Sequence, residues 1–260
     1  MTEKKKERIS RIINTLLLEN AANVRELSKT LKVSEMTVRR DLNFLAEENI
    51  VRLMHGAAVL NPLNRPDTDE DRYIIDKQEV INREKKMRIG KKAVSLIKPD
   101  DIIIIDTGST TDCLAQAIPY DLSISVLCFA LNILTAVNMR KNCRISFAGG
   151  ELHRDTLMFE SQEGINLIRR FRANKAFISA SGVNLKLGVT CSMQYETETK
   201  QACIGSALEN ILLVDSSKFD RIKPGYFADI KDFDIVVTDD GIPPEYENYI
   251  KNLGIKLIIA

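Results

Sequence analysis

Tryptophan is absent from this chain of 260 residues, which also contains only two histidines and five cysteines. The cysteines are widely spaced, odd in number and without a Cys-x-x-Cys pair, so we expect a reduced, cytoplasmic protein without a structural zinc site. His55 and His153 lie far apart in the sequence, which leaves no His-rich metal cluster and no Ser-His-Asp set. We therefore predict no catalytic residue, no metal and no cofactor. His153 is expected to pack or hydrogen-bond within its own loop.

Long apolar runs and an excess of one charge are also missing. No apolar run approaches 18 residues, and the Lys- and Glu-rich amino terminus has no signal-type apolar core, so we expect a soluble protein that has no membrane partner. Residues 1–60 carry +3 and the remainder −2, which gives the chain a formal net charge of only +1. Bulk charge therefore provides no general attraction to nucleic acid. With 44% hydrophobic residues the chain can bury a large core in one or two domains.

The spacing of apolar and capping residues predicts three helices in the first 47 residues. Apolar residues recur at helical intervals between about Glu7 and Glu19, and Asn23 is a good cap for a second helix over Val24 to Leu31. A turn of only Lys32-Val33 leads to Ser34, which is a good cap for a third helix. Two short helices joined by such a turn are typical of the helix-turn-helix arrangement.

The third helix has an apolar face and a polar face. Val38, Leu42 and Leu45 form a narrow apolar stripe, whereas the opposite side and its flanks carry residues that reach phosphates and base edges in a DNA major groove. The alternative is a solvated amphipathic helix with no ligand. The candidate DNA-binding residues of this helix are Ser34, Met36, Thr37, Arg39, Arg40 and Asn43.

Residues 50–60 alternate between apolar and other residues around a glycine and predict a small hairpin, a wing beside the helix-turn-helix. Arg52 and His55 would then lie near the DNA backbone, although His55 is equally well explained as a turn residue. Two prolines and a charge run without periodicity follow, and predict a linker over residues 61–76. The predicted domains are a winged helix-turn-helix at 1–60 and an α/β domain at 77–260.

Beyond the linker, short apolar runs alternate with helical stretches, which is typical of a doubly wound parallel sheet covered on both faces. The predicted strands are 102–105, 124–127, 144–147, 176–179, 211–214, 235–238 and 256–259. The predicted helices are 80–97, 110–118, 131–139, 162–171, 195–208 and 244–252.

Loops after the strands of such a sheet are where ligands bind. The loop Asp106-Thr107-Gly108-Ser109-Thr110-Thr111 joins a strand to a helix and offers amides, hydroxyls and a helix dipole to an anion such as phosphate. Taken alone, this pattern is weak, because many tight strand-to-helix turns use these residues only for capping. Three further loops are predicted on the same rim, at residues 147–153, 179–183 and 215–219.

Both halves resemble the DeoR family of bacterial transcription repressors. The amino-terminal resemblance rests on Val24-Arg25-Glu26-Leu27, on the run Val33 to Leu42 and on Arg52-Leu53-Met54-His55-Gly56-Ala57. The four rim loops resemble the family's effector domain, and nearly the whole chain is covered. The resemblance implies a fold shared with ribose-5-phosphate isomerase and a domain that senses phosphorylated sugars.

Matched position by position, the resemblance implies a set of effector-binding residues. They comprise the phosphate loop, the second glycine loop, the loop after the fourth strand and two lysines: Asp106, Gly108, Ser109, Thr110, Thr111, Gly149, Gly150, Gly182, Lys200 and Lys218.

The chain departs from the common family pattern at two rim loops. Cys128-Phe129-Ala130 replaces a frequent Thr-Asn-Ser, and Ser179-Ala180-Ser181-Gly182 replaces Gly-Ala-Asp-Gly. Since isomerases of this fold use acids in this region, and serine is far too weak an acid or base, binding without turnover is expected. The same departures, with Gly149-Gly150-Glu151-Leu152-His153 and the stretch 231–239, look most like the family branch that controls deoxyribose use. For that branch the resemblance implies deoxyribose 5-phosphate as the inducer.

The sequence thus predicts a homodimeric or larger repressor of a sugar or nucleoside catabolic operon. Its expected partners are a double-stranded DNA operator and a phosphorylated sugar that relieves repression. The alternative is a sugar-phosphate isomerase-like enzyme that carries a DNA-binding appendage.

Overall fold

The computed structural model describes residues 81–260 throughout and, before them, residues 5, 8, 9, 11–13, 15, 16, 21–47, 51–54 and 57–60. The chain divides into two compact units, Met1–Arg72 and Tyr73–Ala260. The predicted linker at 61–76 and the predicted wing residue His55 lie outside the described residues.

In the first unit, the described residues between 8 and 16 are helical, and two further helices follow as predicted. These are α1 (Val24–Leu31) and α2 (Glu35–Glu47). The side chain of Asn23 accepts a hydrogen bond from the amide of Glu26 at 2.8 Å, and the Ser34 hydroxyl accepts one from the amide of Thr37 at 3.2 Å. Both predicted caps therefore satisfy amides of the first turn, which have no partner inside the helix.

A three-stranded antiparallel sheet completes this unit, with the order β1 (Ala21–Asn23), β3 (Ala57–Leu60), β2 (Val51–Met54). The hairpin of β2 and β3 was predicted, whereas β1 was not, because three residues are too few to show alternation. The core of this unit is formed by apolar side chains of the helices and of the inner side of the hairpin. They include Ile9, Ile12, Leu16, Leu27, Val38, Leu42, Leu45, Val51 and Ala58.

The second unit is built on a parallel seven-stranded sheet with the order β15-β14-β12-β9-β4-β5-β6. Its strands are β4 (Ile102–Ile105), β5 (Ile124–Cys128), β6 (Cys143–Phe147), β9 (Ala173–Ser179), β12 (Ala207–Leu213), β14 (Ile235–Thr238) and β15 (Lys256–Ile259). Its helices are α3 (Arg83–Val94), α4 (Ser109–Ala117), α5 (Leu131–Asn138), α6 (Gln162–Arg170), α7 (Glu196–Ile204) and α8 (Pro244–Asn252).

Each face of this sheet is buried in its own core. Ile104 and Ile178 belong to one apolar cluster, whereas their neighbours Ile103, Ile105 and Phe177 belong to the other. Because successive side chains of a strand point to opposite faces, continuous apolar strands are what a sheet covered on both sides requires. The α/β prediction is confirmed.

Several predicted boundaries differ from those observed. Helix α3 begins at Arg83 rather than at residue 80, because Asn82 has a left-handed backbone with φ of 56°. Helix α7 ends at Ile204 instead of continuing to 208, because Gly205 and Ser206 turn the chain into β12. The remaining predicted strands and helices of this unit match to within a few residues.

Two small antiparallel additions were not predicted. One pairs β7 (Glu151–His153) with β8 (Met158–Glu160), and the other has the order β10 (Gly182–Asn184), β11 (Gly188–Cys191), β13 (Gly225–Ala228). No helix in the described part of the chain is long and apolar enough to cross a membrane.

Candidate functional site

The outer face of α2 presents the predicted DNA-binding residues to solvent. Arg39, Arg40 and Asn43 are exposed, and the Met36 side chain is 67% exposed, while Val38 and Leu42 on the other face are buried. An exposed methionine beside two arginines on the first turns of a helix offers both an apolar contact and charged donors to a DNA groove.

The two hydroxyl residues of this surface are partly engaged within the protein. Ser34 and Thr37 share a hydrogen bond between their side-chain oxygens at 2.9 Å, in addition to the cap on the Thr37 amide. They shape the start of α2 as well as lying on its exposed side. Arg52 belongs to β2, and His55 falls outside the described residues.

In the second unit, a narrow cleft opens at the carboxyl ends of the central strands β4 and β9. Its walls come from the loop after β4, the loop after β9, the first turns of α7 and the loop after β12. The lining residues are Gly108, Ser109, Thr110, Ser179, Ala180, Ser181, Glu196, Lys200 and Lys218. Five of the predicted effector residues are therefore brought together: Gly108, Ser109, Thr110, Lys200 and Lys218.

The loop after β4 has the geometry of an anion site. Gly108 has a φ of +143° and lies so close to the Ser179 side chain that a Cβ there would overlap it. Its carbonyl accepts bonds from the Asp112 amide and the Thr111 hydroxyl, each at 2.9 Å, which start α4. The N-cap residue Gly108 makes no side-chain cap, and α4 begins at residues that line the cleft, where unpaired first-turn amides and the helix dipole favour an anion.

Lys200 is the centre of a buried charge cluster. Its Nζ lies 2.5 Å from Asp106 Oδ2 and 3.6 Å from Glu196 Oε2, and it donates to the Ser179 carbonyl at 3.2 Å. Burial opposes the charged ammonium, but the two carboxylates outweigh it and raise the pKa of Lys200. Lys200 was predicted to bind the effector directly. In the structure its ammonium contacts these protein oxygens instead.

Lys218 is held differently. It is half-buried in a short 3-10 helix at Ser216–Lys218, which Asp215 caps by accepting a bond from the Ser217 amide at 3.0 Å. Burial lowers the pKa of Lys218, with Asp215 opposing that effect and Lys223 adding to it. Lys218 lines the cleft, and a lysine at this position can contribute positive charge to an anion site.

The other predicted effector residues do not line the cleft. Asp106 is fully buried behind it, and Thr111 is buried within α4. Gly150 packs so tightly against the Glu160 carbonyl that a Cβ would overlap it, and Gly182 has the Arg221 carbonyl 2.6 Å from the place of a Cβ. Gly149 is exposed and its carbonyl accepts a bond from the Ser161 hydroxyl at 2.8 Å. Gly150 and Gly182 therefore allow close backbone contacts, whereas a Cβ at Gly149 would meet nothing within 4 Å.

Sequence reasoning missed Glu196, which lines the cleft. The available signal was its position four residues before Lys200 on a helix, the spacing at which a carboxylate and an ammonium meet. His153 packs as expected, but against another element rather than within its own loop, because its ring stacks on Tyr195 at the start of α7 with centroids 3.7 Å apart. The described residues contain no group of His, Cys, Asp or Glu that could hold a metal ion.

A helix-turn-helix with an exposed basic face, on the same chain as an α/β unit with an anion-type cleft, defines a ligand-sensing DNA-binding regulator. Residues 8–62 match the DeoR-like helix-turn-helix domain, and residues 81–240 match the DeoR C terminal sensor domain. The chain belongs to the DeoR family of transcriptional regulators.

Three similar proteins are named as regulators or repressors, and each aligns with this chain over nearly its whole length. The deoxyribose operon repressor of Escherichia coli (strain K12) is 32% identical over 99% of this chain and 100% of that protein. The regulator GolR of Listeria innocua is 31% identical over 98% of each chain. The lactose phosphotransferase system repressor of Lactococcus lactis subsp. lactis is 31% identical over 93% of this chain and 94% of that protein.

Among solved structures, the chain is similar to ribose 5-phosphate isomerase A of Methanocaldococcus jannaschii. The identity is 16% over 53% of this chain and 55% of that chain, and the TM-score is 0.37. A likeness this weak says nothing about activity.

Proposed function

We propose that this protein is a cytoplasmic repressor of a sugar or nucleoside catabolic operon, and that a phosphorylated sugar, with deoxyribose 5-phosphate as the first candidate, releases it from DNA. The observation that carries the proposal is the cleft that combines the Gly108 loop with Lys218, in a chain whose other unit exposes Arg39 and Arg40. The choice of sugar is supported by the similarity to a deoxyribose operon repressor.

The phosphate is proposed to bind at the start of α4. The amides after Gly108 and the hydroxyls of Ser109 and Thr110 supply donors, and Lys218 supplies a positive charge across the cleft. The free sugar would leave these donors without a comparable acceptor, so it is expected to bind far more weakly.

We propose binding without turnover. The segment Ser179-Ala180-Ser181 offers hydroxyls where an isomerase would need an acid, and the acids nearest the cleft, Asp106 and Glu196, are paired with Lys200. Conversion of ribose 5-phosphate by the purified protein would instead favour the isomerase-like alternative.

DNA binding is proposed to require at least a dimer. One helix such as α2 reads only a few base pairs, and repressors of this type present two recognition helices about 34 Å apart. Sedimentation at concentrations that saturate the operator tests this, since a monomeric complex would rule it out.

The experiment that tests the function as a whole is operator binding with and without ligand. Deoxyribose 5-phosphate should weaken the complex, by about 1–3 kcal/mol in such systems, whereas deoxyribose should not. A variant carrying Thr110→Ala and Lys218→Ala should bind operator normally and ignore the ligand. Release of that variant by the sugar phosphate would locate the effector site elsewhere.

A further inference from the structure

The effector cleft contains one acidic wall. Among its lining residues, all of them in the described part of the chain, Glu196 alone carries a carboxylate; the others are small or hydroxyl-bearing residues and two lysines. Glu196 is the first residue of α7 and is only 4% exposed. A carboxylate repels a phosphate, so its presence in an anion cleft needs a separate explanation.

The two oxygens of Glu196 have different surroundings. Oε1 accepts a hydrogen bond from the Met193 amide at 3.0 Å, which fixes the side chain against the turn before α7. Oε2 lies 3.6 Å from Lys200 Nζ, an ion pair beyond ordinary hydrogen-bond length. Lys200 makes its short contacts to Asp106 and Ser179 instead. A carboxylate oxygen has two lone-pair sites, so Oε2 retains capacity to accept a further hydrogen bond from a ligand in the cleft that Glu196 lines.

We propose that Glu196 reads the sugar part of the effector by accepting a hydrogen bond from one of its hydroxyl groups, while the Gly108–Thr110 loop and Lys218 hold the phosphate. The inference rests on the proposed function and adds to it the ligand class: a phosphate ester that carries a hydroxyl donor on the side away from the phosphate. An ionised carboxylate only accepts hydrogen bonds, so the partner it selects must be a donor.

Burial leaves this carboxylate short of donors. It raises the pKa of Glu196, an effect that Lys200 opposes and Asp106 reinforces, because a desolvated carboxylate lacks the water that would stabilise its charge, and a donor supplied by the ligand would favour the ionised form. A hydroxyl donor from the ligand replaces part of that water. Hydrogen bonds to charged, desolvated acceptors are the strong ones, and a ligand without the donor leaves the acceptor unpaired.

A purely structural role for Glu196 is the competing explanation, since its bond to Met193 stabilises the turn before α7. The two explanations differ in ligand dependence. A structural residue affects every ligand of the cleft alike, whereas a hydroxyl-reading residue affects only ligands that carry the hydroxyl.

The test is titration calorimetry of the full-length protein with deoxyribose 5-phosphate and with methyl phosphate, which has the same phosphate group and no hydroxyl. The wild-type protein should bind the sugar phosphate roughly ten- to a hundredfold more tightly than methyl phosphate. Glu196→Gln should reduce that ratio about tenfold, because it weakens the contact to the sugar hydroxyl, whereas methyl phosphate should bind at least as tightly once the repelling charge is removed. Glu198→Gln is the matched control, because Glu198 lies on the same helix and pairs with Arg169 on the surface.

Equal affinity of the wild-type protein for the two ligands overturns the proposal without any variant, and so does an equal loss of both ligands in Glu196→Gln. If that variant does not fold, Glu196→Asp provides the same comparison, since it keeps the charge and withdraws it from the cleft. Failure of the wild-type protein to bind either ligand contradicts the proposed effector class itself, which separates that failure from failure of this inference.

Discussion

Arg8 holds Asp41 in a two-point ion pair, in which Nε donates to Oδ2 at 2.5 Å and a terminal nitrogen donates to Oδ1 at 3.2 Å. The Asp41 side chain is 2% exposed and the Arg8 side chain 20%. Since Asp41 belongs to α2 and Arg8 to the first helical segment, this ion pair holds α2 against that segment. Planar guanidinium and carboxylate groups favour such two-point contacts.

Replacing Asp41 by alanine is therefore expected to destabilise the amino-terminal unit. The change removes two charge-assisted hydrogen bonds and leaves the Arg8 guanidinium partly buried without its carboxylate, which costs about 1–3 kcal/mol. Denaturant unfolding followed by circular dichroism measures the loss. Arg39→Ala, on the exposed side of α2, is the matched control and should change stability by about 0.5 kcal/mol or less.

Arg40→Ala is expected to have the opposite profile, with normal stability and weaker operator binding. If Arg40 contacts a guanine, discrimination at that base pair should fall by about 1–3 kcal/mol. If it contacts phosphate, affinity should fall for all sequences and the salt dependence should decrease by about one unit. Titrations of operator and scrambled DNA at several salt concentrations separate these cases. Unchanged operator affinity of the folded variant would show that α2 does not recognise the operator.

The neighbouring residues Arg40 and Asp41 show what can and cannot be predicted from the sequence. The apolar stripe of Val38 and Leu42, together with the Ser34 cap, predicts α2 and its exposed side because those signals are local. The partner of Asp41 lies 33 positions away, and helical spacing carries no information about contacts at that distance. The helix was therefore predictable, whereas the residue that anchors it was not.

The cleft proposed to bind the effector also combines predictable and unpredictable features. The loop pattern and the family resemblance predicted Gly108, Ser109, Thr110 and Lys218 as effector-binding residues, and each of them lines the cleft. The ion pair of Lys200 with Asp106 spans 94 positions, so it depends on the tertiary fold and not on any local spacing in the sequence. Gly149 and Gly150 do not line this cleft, and Gly150 lies against the Glu160 carbonyl, so their role in effector binding stays a prediction.

Lys85 supports a buried acid at the same edge of the sheet. Its Nζ lies 2.8 Å from Asp239 Oδ2 and 2.8 Å from the Ser216 hydroxyl. Burial alone would raise the pKa of Asp239, but the bonds from Lys85, Ser216 and Gly241 outweigh it and lower the pKa below its ordinary value of 3.8. A lowered carboxyl pKa contributes stability above pH 3.8, and that contribution is lost as the pH falls through the folded-state pKa.

Lys85→Ala is accordingly expected to destabilise the α/β unit at neutral pH by about 1–2 kcal/mol, since Asp239 remains buried without its cation. The variant should also lose less stability than the wild-type protein when the pH falls below 3.8. Arg88→Ala is the control, because Arg88 pairs with the exposed Asp240 at 3.3 Å and should contribute about 0.5 kcal/mol or less. Denaturant titrations at neutral and acidic pH compare the three proteins, and equal losses for both variants would contradict the assigned role of Lys85.

Effector binding should depend on pH at two points. A phosphate monoester takes its second negative charge near pH 6, so affinity for deoxyribose 5-phosphate should rise as the pH increases through about 6. Because burial lowers the pKa of Lys218 from 10.5, its ammonium loses its proton at a lower pH than a free lysine, and affinity should fall on the alkaline side before pH 10.5. Lys218→Arg keeps its charge in this range and should retain affinity there. Calorimetric titrations across the range measure both limbs, and an alkaline fall that is identical in the arginine variant would show that Lys218 is not the titrating group.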